Sequence, residues 1–519
     1  MRPVSTPITV VALAALMALC AGGPAAAQPT AASADALRSA AQQAVQSNPD
    51  VTARYNAYRA SGHERDGAQA AYRPRVDATA QAGQTRDRFD NRNPASQSLG
   101  HHGVGLNLTQ LLWDGDATRS EVQRLDHNRM SRWFEFVDAS EQAALEAARA
   151  HYDVQRYRRL VELAEDNYIQ HKVSHDQIQG RFKAGVGRGV DLQQAVARLA
   201  LAESNLNSEV ANLHDVTARF QRVVGASPAP KTDAASAPTQ LSTGVPTSAA
   251  EAVRLATQRN ASVSAAIEAM RATRAQTEGV RSAYRPRVEA RVRGGLGKNL
   301  AGQAGQTQDI GAEIVLNWSL YDGGRNDARA RQFADLLSQA ADQRDRACRD
   351  VRQTVAIAHN DTARLGEQVR YLEKNAAAIQ RARDAYRQQF EIGQRSLLDL
   401  LNAENEAYTA RRAVANAEFD RAVAYVRVHA AMNTLLPTLG LVRADVDAGP
   451  ATGTPAADLG AGWQPGDDAA GRCAVAEVPS AATPLADLDA RAQALAASRA
   501  AASPAAPAAP AAPAAPTRP

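Results

Sequence analysis

The sequence predicts a mainly α protein with a small β part, built as a duplicated half-molecule that supplies four strands per chain. The first observation is the repeat: Ala71-Tyr72-Arg73-Pro74-Arg75-Val76 returns as Ala283-Tyr284-Arg285-Pro286-Arg287-Val288, an offset of 283 − 71 = 212. Leu112-Trp113-Asp114-Gly115 returns as Leu320-Tyr321-Asp322-Gly323, and Phe182-x-x-Gly185 with Asp191-Leu192 returns as Phe390-x-x-Gly393 with Asp399-Leu400, both at offset 208. A loop absorbs a four-residue loss. A packed helix does not, because each residue turns its buried face by about 100°. The second observation is alternation, with Ile310, Ala312, Ile314, Leu316, Trp318 and Leu320 on one strand face against Gly311, Glu313, Asn317 and Ser319, Val315 being the exception. The third is a seam of mostly small or apolar residues in steps of three and four, running from Trp133 to Phe182 and again, 208 residues later, from Ala341 to Phe390. A period near 210 is too long for a solenoid repeat and marks a doubled half.

The elements follow in order. Residues 1–27 read as a signal peptide, with Arg2, an apolar stretch over 8–20 and Ala25-Ala26-Ala27 before the cleavage point. The apolar stretch is too short to span a bilayer. Leu19 precedes Cys20 where a lipoprotein signal takes a small residue, so cleavage without lipidation is expected. Residues 28–224 form the first structural repeat. It opens with an alanine-rich helix over 35–71 that Pro74 ends, because proline cannot continue a helix. A strand at 75–85, a polar external loop at 86–102 and a strand at 103–113 follow, with Val104, Leu106 and Leu108 on one face. A long helical hairpin fills 114–224, its first arm over 116–181 being roughly 100 Å long.

Residues 225–247, rich in Pro, Ala, Ser and Thr, form a linker, the equatorial segment. The second structural repeat, 248–441, again reads helix, strand (287–296), external loop (297–308), strand (309–321) and long helical hairpin (322–441). The tail, 442–519, is Ala/Pro-rich and of low complexity.

Composition excludes several function classes. A net charge of +4, with the basic residues dispersed, gives no support to nucleic-acid binding. There is no phosphate loop, nucleophile elbow or paired acid/base carboxylates, so neither an enzyme nor a cofactor is expected. His171 and His175 lie one helical turn apart, but both fall on the seam and no third ligand is visible, so no metal site is expected. Cys348 and Cys473 remain after cleavage, and an exported compartment permits a possible disulfide between them; a buried thiol and a free tail thiol are the other reading.

Strands with one apolar and one polar face suit a soluble sheet over a core or a membrane barrel. Helices of this length, in duplicate, favour a rod or tube. If the strands face lipid, their edges cannot stay unpaired. Four strands are fewer than the eight a barrel needs, so copies must share one, and three copies give twelve strands. A periplasmic coiled-coil scaffold is the remote alternative.

At this point the chain resembles the TolC-like outer-membrane factors, the outer membrane efflux protein family, over residues 34–441. The resemblance rests on the doubled Tyr-x-Pro strand starts, the Trp113-Asp114-Gly115 and Tyr321-Asp322-Gly323-Gly324 strand exits, and the two Phe-x-x-Gly turns. It implies a homotrimer in the cell outer membrane, with a 12-stranded β-barrel continued by a long α-helical barrel in the periplasm. It also implies a periplasmic adaptor (membrane fusion protein) and an inner-membrane ABC transporter or proton-driven pump as partners. Residues 393–404 look most like members serving type I secretion; multidrug efflux is the alternative.

The resemblance further implies a gate at the periplasmic end: Asp399 as a carboxylate ring, Arg395 as a cationic latch, and Asp191 with Val190 as the partner turn. Asn402 stands where a second Asp ring would lie and Phe390 where a Tyr would bond, which implies a looser, less acidic constriction. Gly185, Gly187, Gly393 and Ser396 mark the helix turns that would contact the adaptor. Read from spacing alone, Asp191 and Asp399 are also candidate helix N-caps after glycine turns.

Overall fold

Each half of the chain runs through two short helices, two strands and one long helical hairpin. The computed structural model describes residues 29–88, 96–230, 241–300, 304–445, 486–487, 489–490 and 492–494. The expected leader with Cys20, and Cys473 in the tail, lie outside these residues. The first half comprises α1 (Pro29–Ser47), α2 (Pro49–Gln69), β1 (Arg75–Arg88), β2 (Ser96–Trp113), α3 (Ala117–Lys183) and α4 (Gly189–Val224). The second comprises α5 (Ala249–Arg259), α6 (Ala261–Val280), β3 (Arg287–Lys298), β4 (Gln306–Asn317), α7 (Arg325–Glu391) and α8 (Leu397–Ala431), followed by the short α9 (Leu435–Leu439). These elements lie in one compact unit, residues 1–475; in the other, 476–519, residues 486–487, 489–490 and 492–494 are helical.

The helix expected over 35–71 is two helices. Asn48 breaks it: its side chain accepts from Asp50 N at 2.9 Å, and Pro49 follows with no N–H to donate. Asn260 breaks the second half alike, accepting from Ser262 N at 3.0 Å and Val263 N at 3.4 Å.

The long helices α3 and α7 each hold 67 residues and begin 325 − 117 = 208 apart, so the repeat runs in register through both. At 1.5 Å per residue each is roughly 100 Å long. Their expected seams are the packed faces. Phe136, Ser140, Ala143, Ala147, Ala150 and Val154 are buried on α3, as are Cys348, Val351, Val355, Ala358, Thr362 and Val369 on α7. Phe182, last on the first seam, is exposed at the helix end. Leu37, Ala41, Ala44 and Val45 of α1 complete the main core against α3, α4, α8 and α9, so both halves contribute to one packed body. Cys348 is buried among Val253, Ile267 and Val351 and is disulfide-bonded. No described helix is long and apolar enough to cross a membrane.

The four strands form one antiparallel sheet in the order β1-β2-β3-β4. The strands differ from the expected spans. Residues 96–102, expected in the loop, belong to β2; β3 runs on to Lys298; β4 begins at Gln306 and ends at Asn317 rather than at 321. The connection between β3 and β4 is thus 299–305, shorter than the loop expected at 297–308.

Candidate functional site: sheet faces and helix tips

Strand register sorts the sheet into two chemically distinct faces. On one, Val76, Ala78 and Ala80 pair with Leu108, Leu106 and Val104. These pair in turn with Val292, Gly294 and Leu296. Val288, Ala290, Val292 and Gly294 then meet Leu316, Ile314, Ala312 and Ile310. This apolar face is open: Val104 is 60% exposed, Leu106 59% and Ile310 79%. From Val104 to Trp113 is 113 − 104 = 9 steps, about 30 Å along the strand. At a barrel strand's usual tilt that is about 21–25 Å of height, close to the span of an outer-membrane apolar band. Tyr72, Trp113, Tyr284, Trp318 and Tyr321 are exposed at the helix-proximal end of the sheet, where an aromatic girdle belongs.

The opposite face is charged and self-paired. Glu289 accepts from Arg287 at 2.6 Å and from Arg291 at 2.8 Å, and Arg75 meets Asp77 at 2.8 Å. Arg293 lies between Asp309 and Glu313, at 3.9 and 3.8 Å. A sheet lying on a soluble core would bury its apolar face and wet the polar one. Here, among the described residues, nothing covers the apolar face, and β1 and β4 are the edges of the sheet.

The duplicated Asp-Gly motifs join sheet to helix. Asp114 accepts from Thr118 N at 2.9 Å and Asp322 from Asn326 N at 2.9 Å, so equivalent carboxylates, each two residues ahead of the N-cap, take a first-turn N–H of both long helices. Two left-handed residues make each turn, Gly115 (φ +69) with Asp116 (φ +72), then Gly323 (φ +72) with Gly324 (φ +85). Arg285 of the repeated Tyr-Arg-Pro motif donates to Gly115 O at 3.1 Å and to Asp116 at 2.7 Å.

At the far end, each hairpin turns on a glycine in the left-handed region, Gly185 (φ +78) and Gly393 (φ +77). Gly187 is demanded by proximity instead, since a Cβ there would sit 2.7 Å from Phe182 N. Ser396 is the N-cap of α8: its Oγ accepts from Asp399 N at 3.2 Å and donates to Asp399 Oδ2 at 2.9 Å. The N-cap reading of the two aspartates is thereby corrected. The cap positions are Ser396 and Arg188, and Asp399 and Asp191 lie in the first turns.

The structure brings Arg395 and Asp399 together, Nη1 to Oδ2 at 3.7 Å, both partly exposed. Arg395 also lies 4.5 Å over the ring of Tyr386 and donates to Gln389 at 3.0 Å. Phe390 packs with Ile178, Ala195, Leu397 and Leu401, and Arg181 lies 5.4 Å over its ring. Asn402 accepts from Arg198 of α4 at 2.7 Å. Val190 is 68% exposed beside the α3–α4 turn, with Val186 (79%) and Ile392 (69%) at the two tips. Asp191 is partly buried and, among the described residues, makes no ion pair.

Sequence reasoning missed Tyr386, Arg387 and Glu404. A tyrosine four residues before Phe390 was a visible signal for the first; the other two needed contacts between helices. His171 is buried, and burial, with Arg198 nearby, holds its pKa below the usual value despite the opposing pull of Glu404. His175 meets Asp176 at 3.0 Å. Among the described residues no group of three His, Cys, Asp or Glu side chains could hold a metal ion.

Comparison with known proteins places this geometry. The profile of the outer membrane efflux protein family matches residues 40–226 and 252–434, one stretch for each half. Outer membrane efflux protein BepC of Brucella suis is 27% identical over 378 residues, covering 72% of this chain and 80% of that protein. Alkaline protease secretion protein AprF of Pseudomonas aeruginosa is 26% identical over 277 residues, covering 52% of this chain and 56% of that protein. Among solved structures, a membrane protein from Pseudomonas aeruginosa superimposes with a TM-score of 0.69 at 18% identity, covering 76% of this chain and 93% of that one.

Proposed function

The chain belongs to the outer membrane efflux protein family, and from that premise we propose that it is the exit duct of a type I protein secretion machine. Three copies share a 12-stranded barrel in the outer membrane and extend a helical tunnel into the periplasm. There the tunnel docks onto a periplasmic adaptor served by an inner-membrane ABC transporter. The observation that carries the duct is an apolar sheet face that no described residue covers, bounded by two edges that no described strand pairs: pairing β4 of one copy with β1 of the next removes the edges that lipid would leave unsatisfied.

Several features support the finer reading. The likeness to a protein named for alkaline protease secretion favours protein cargo, as does the run of residues 393–404. The likeness to a protein named for efflux favours a proton-driven multidrug pump as the second reading. At the periplasmic end Asp399 and Arg395 form the constriction, with Phe390, Asn402, Asp191 and Val190 around it. The exposed tips at Gly185, Gly187, Gly393 and Ser396, flanked by Val186 and Ile392, offer an apolar surface to the adaptor.

Ion conductance of the purified protein in planar bilayers tests the duct. Asp399→Ala and Arg395→Ala are expected to raise the current; silence from every variant refutes the reading. Deleting the gene and comparing secreted proteins with drug susceptibility separates the two cargoes.

A further inference from the structure

We propose that the apolar face of the sheet binds a phosphorylated glycolipid of the outer leaflet, with its anionic groups on Lys298, His102 and Arg86 and an acyl chain in the hollow beneath them. This rests on the duct reading above, which turns the end of the sheet away from the helices outward. Charge is divided between the two faces by sign. By register the acidic residues of the four strands, Asp77, Asp87, Glu289, Asp309 and Glu313, all take the odd positions, those of the polar face. At the even positions, those of the apolar face, the charged residues are all basic: Lys298, Arg86 and Arg88, with His102 paired to Lys298. A patch of one sign without counter-charges attracts anions.

The cations stand at two heights. His102 and Lys298 follow directly on Val104 and Leu296, at the rim of the apolar band. Arg86 pairs with Ser98, 102 − 98 = 4 residues past His102, which is about 13 Å along the strand and about 10 Å in height. All three side chains are exposed. Among the described residues neither Lys298 nor Arg86 makes an ion pair; Arg86 donates only to Ser96 at 3.4 Å. Leu300, where the β3–β4 connection begins, folds over the other face, since a Cβ on Gly103 would meet it at 3.1 Å. Below the cations the apolar face is hollowed: Ala78, Ala80 and Gly294 floor a depression of about 490 Å³ rimmed by Val104, Leu296 and Ile310. A phospholipid carries its negative charge at one height, just beyond the acyl chains. A phosphorylated glycolipid adds phosphate or carboxylate groups on the sugars above. Cations at two heights over an apolar hollow match the second.

The test is binding of fluorescent lipopolysaccharide to the full-length assembled protein in detergent, with phosphatidylglycerol as the lipid charged at one height. Lys298→Gln and Arg86→Gln should each weaken lipopolysaccharide binding about fivefold. The double variant should lose about 25-fold, because the two positions are well separated. For phosphatidylglycerol only Lys298→Gln should matter. Thr307→Glu, on the polar face at the height of Lys298, should change neither. Ala80→Trp fills the hollow without touching the cations and should also weaken lipopolysaccharide; unchanged binding overturns the placement of the acyl chain. Unaltered affinity in both Lys298→Gln and Arg86→Gln overturns the glycolipid site while leaving the duct standing. A loss confined to Lys298→Gln overturns it too, in favour of any anionic lipid. These side chains are exposed, so the variants should assemble; if Ala80→Trp does not, Ala80→Leu decides. If carbonate strips the unaltered protein from the membrane, the duct reading falls and takes the lipid site with it.

Discussion

Replacing Leu106 by Arg tests what solvent the apolar sheet face meets. Leu106 is central in β2, 59% exposed, and flanked across the sheet by Ala78 and Gly294. If that face meets lipid, an arginine near the bilayer midplane costs about 2–4 kcal/mol per chain. That is roughly 30- to 1,000-fold in each chain's folding equilibrium, multiplied over the copies that share the barrel. The neighbouring Asn107 points to the polar face, where Asn107→Arg should cost close to nothing. The assay is the yield of heat-resistant oligomer extracted from the outer membrane for both variants. Loss with Leu106→Arg and retention with Asn107→Arg is expected. Equal tolerance would mean that water covers both faces, and the reasoning from register to lipid would be wrong.

Other expected outcomes are independent of the membrane. Glu141 of α3 is 2% exposed, and burial pushes its carboxyl up to about 8 from an ordinary 4.5. The unfolded chain releases that proton first, so stability should fall as pH rises from about 4.5 to 8 and level off above. Glu141→Gln should flatten the fall, and melting curves that track the unaltered protein at every pH would contradict it. Gly115→Ala combines φ +69 with a Cβ 2.7 Å from Arg285 Cβ and should cost about 2–3 kcal/mol. Gly324→Ala, at φ +85 in open space, should cost about 1 kcal/mol. Thermal unfolding ranks the two, and equal effects would refute the clash. Peptide mapping without reductant should join Cys348 to Cys473; an alkylated Cys473 would exclude the pair.

Much of the fold was legible because long helices magnify periodicity. The 208-residue offset held from Ala117 and Arg325 to Lys183 and Glu391, since no packed helix absorbs an insertion. Residues 96–102 were not legible as strand. Ser96, Gln97, Ser98, His101 and His102 do not alternate, which suits a stretch beyond the apolar band, where neither face needs to be apolar. The break at Asn48 was also missed, because an alanine-rich run masks a cap that only the bond to Asp50 N reveals.

The site divides the same way. The glycines at 185 and 393 and the Arg395–Asp399 spacing are local, so the sequence displays them. The contacts that hold Asn402 and Glu404 are not local: Arg198 and Asn402 lie 204 residues apart, Gln170 and Arg387 217 apart. No periodicity within one helix encodes which side chain of another will meet it.

The account depends on one chain being unable to close its own sheet. Native mass spectrometry of protein extracted from the outer membrane in mild detergent measures this directly. A single species of three chains that resists carbonate washing is predicted. A water-soluble monomer released by carbonate would contradict it.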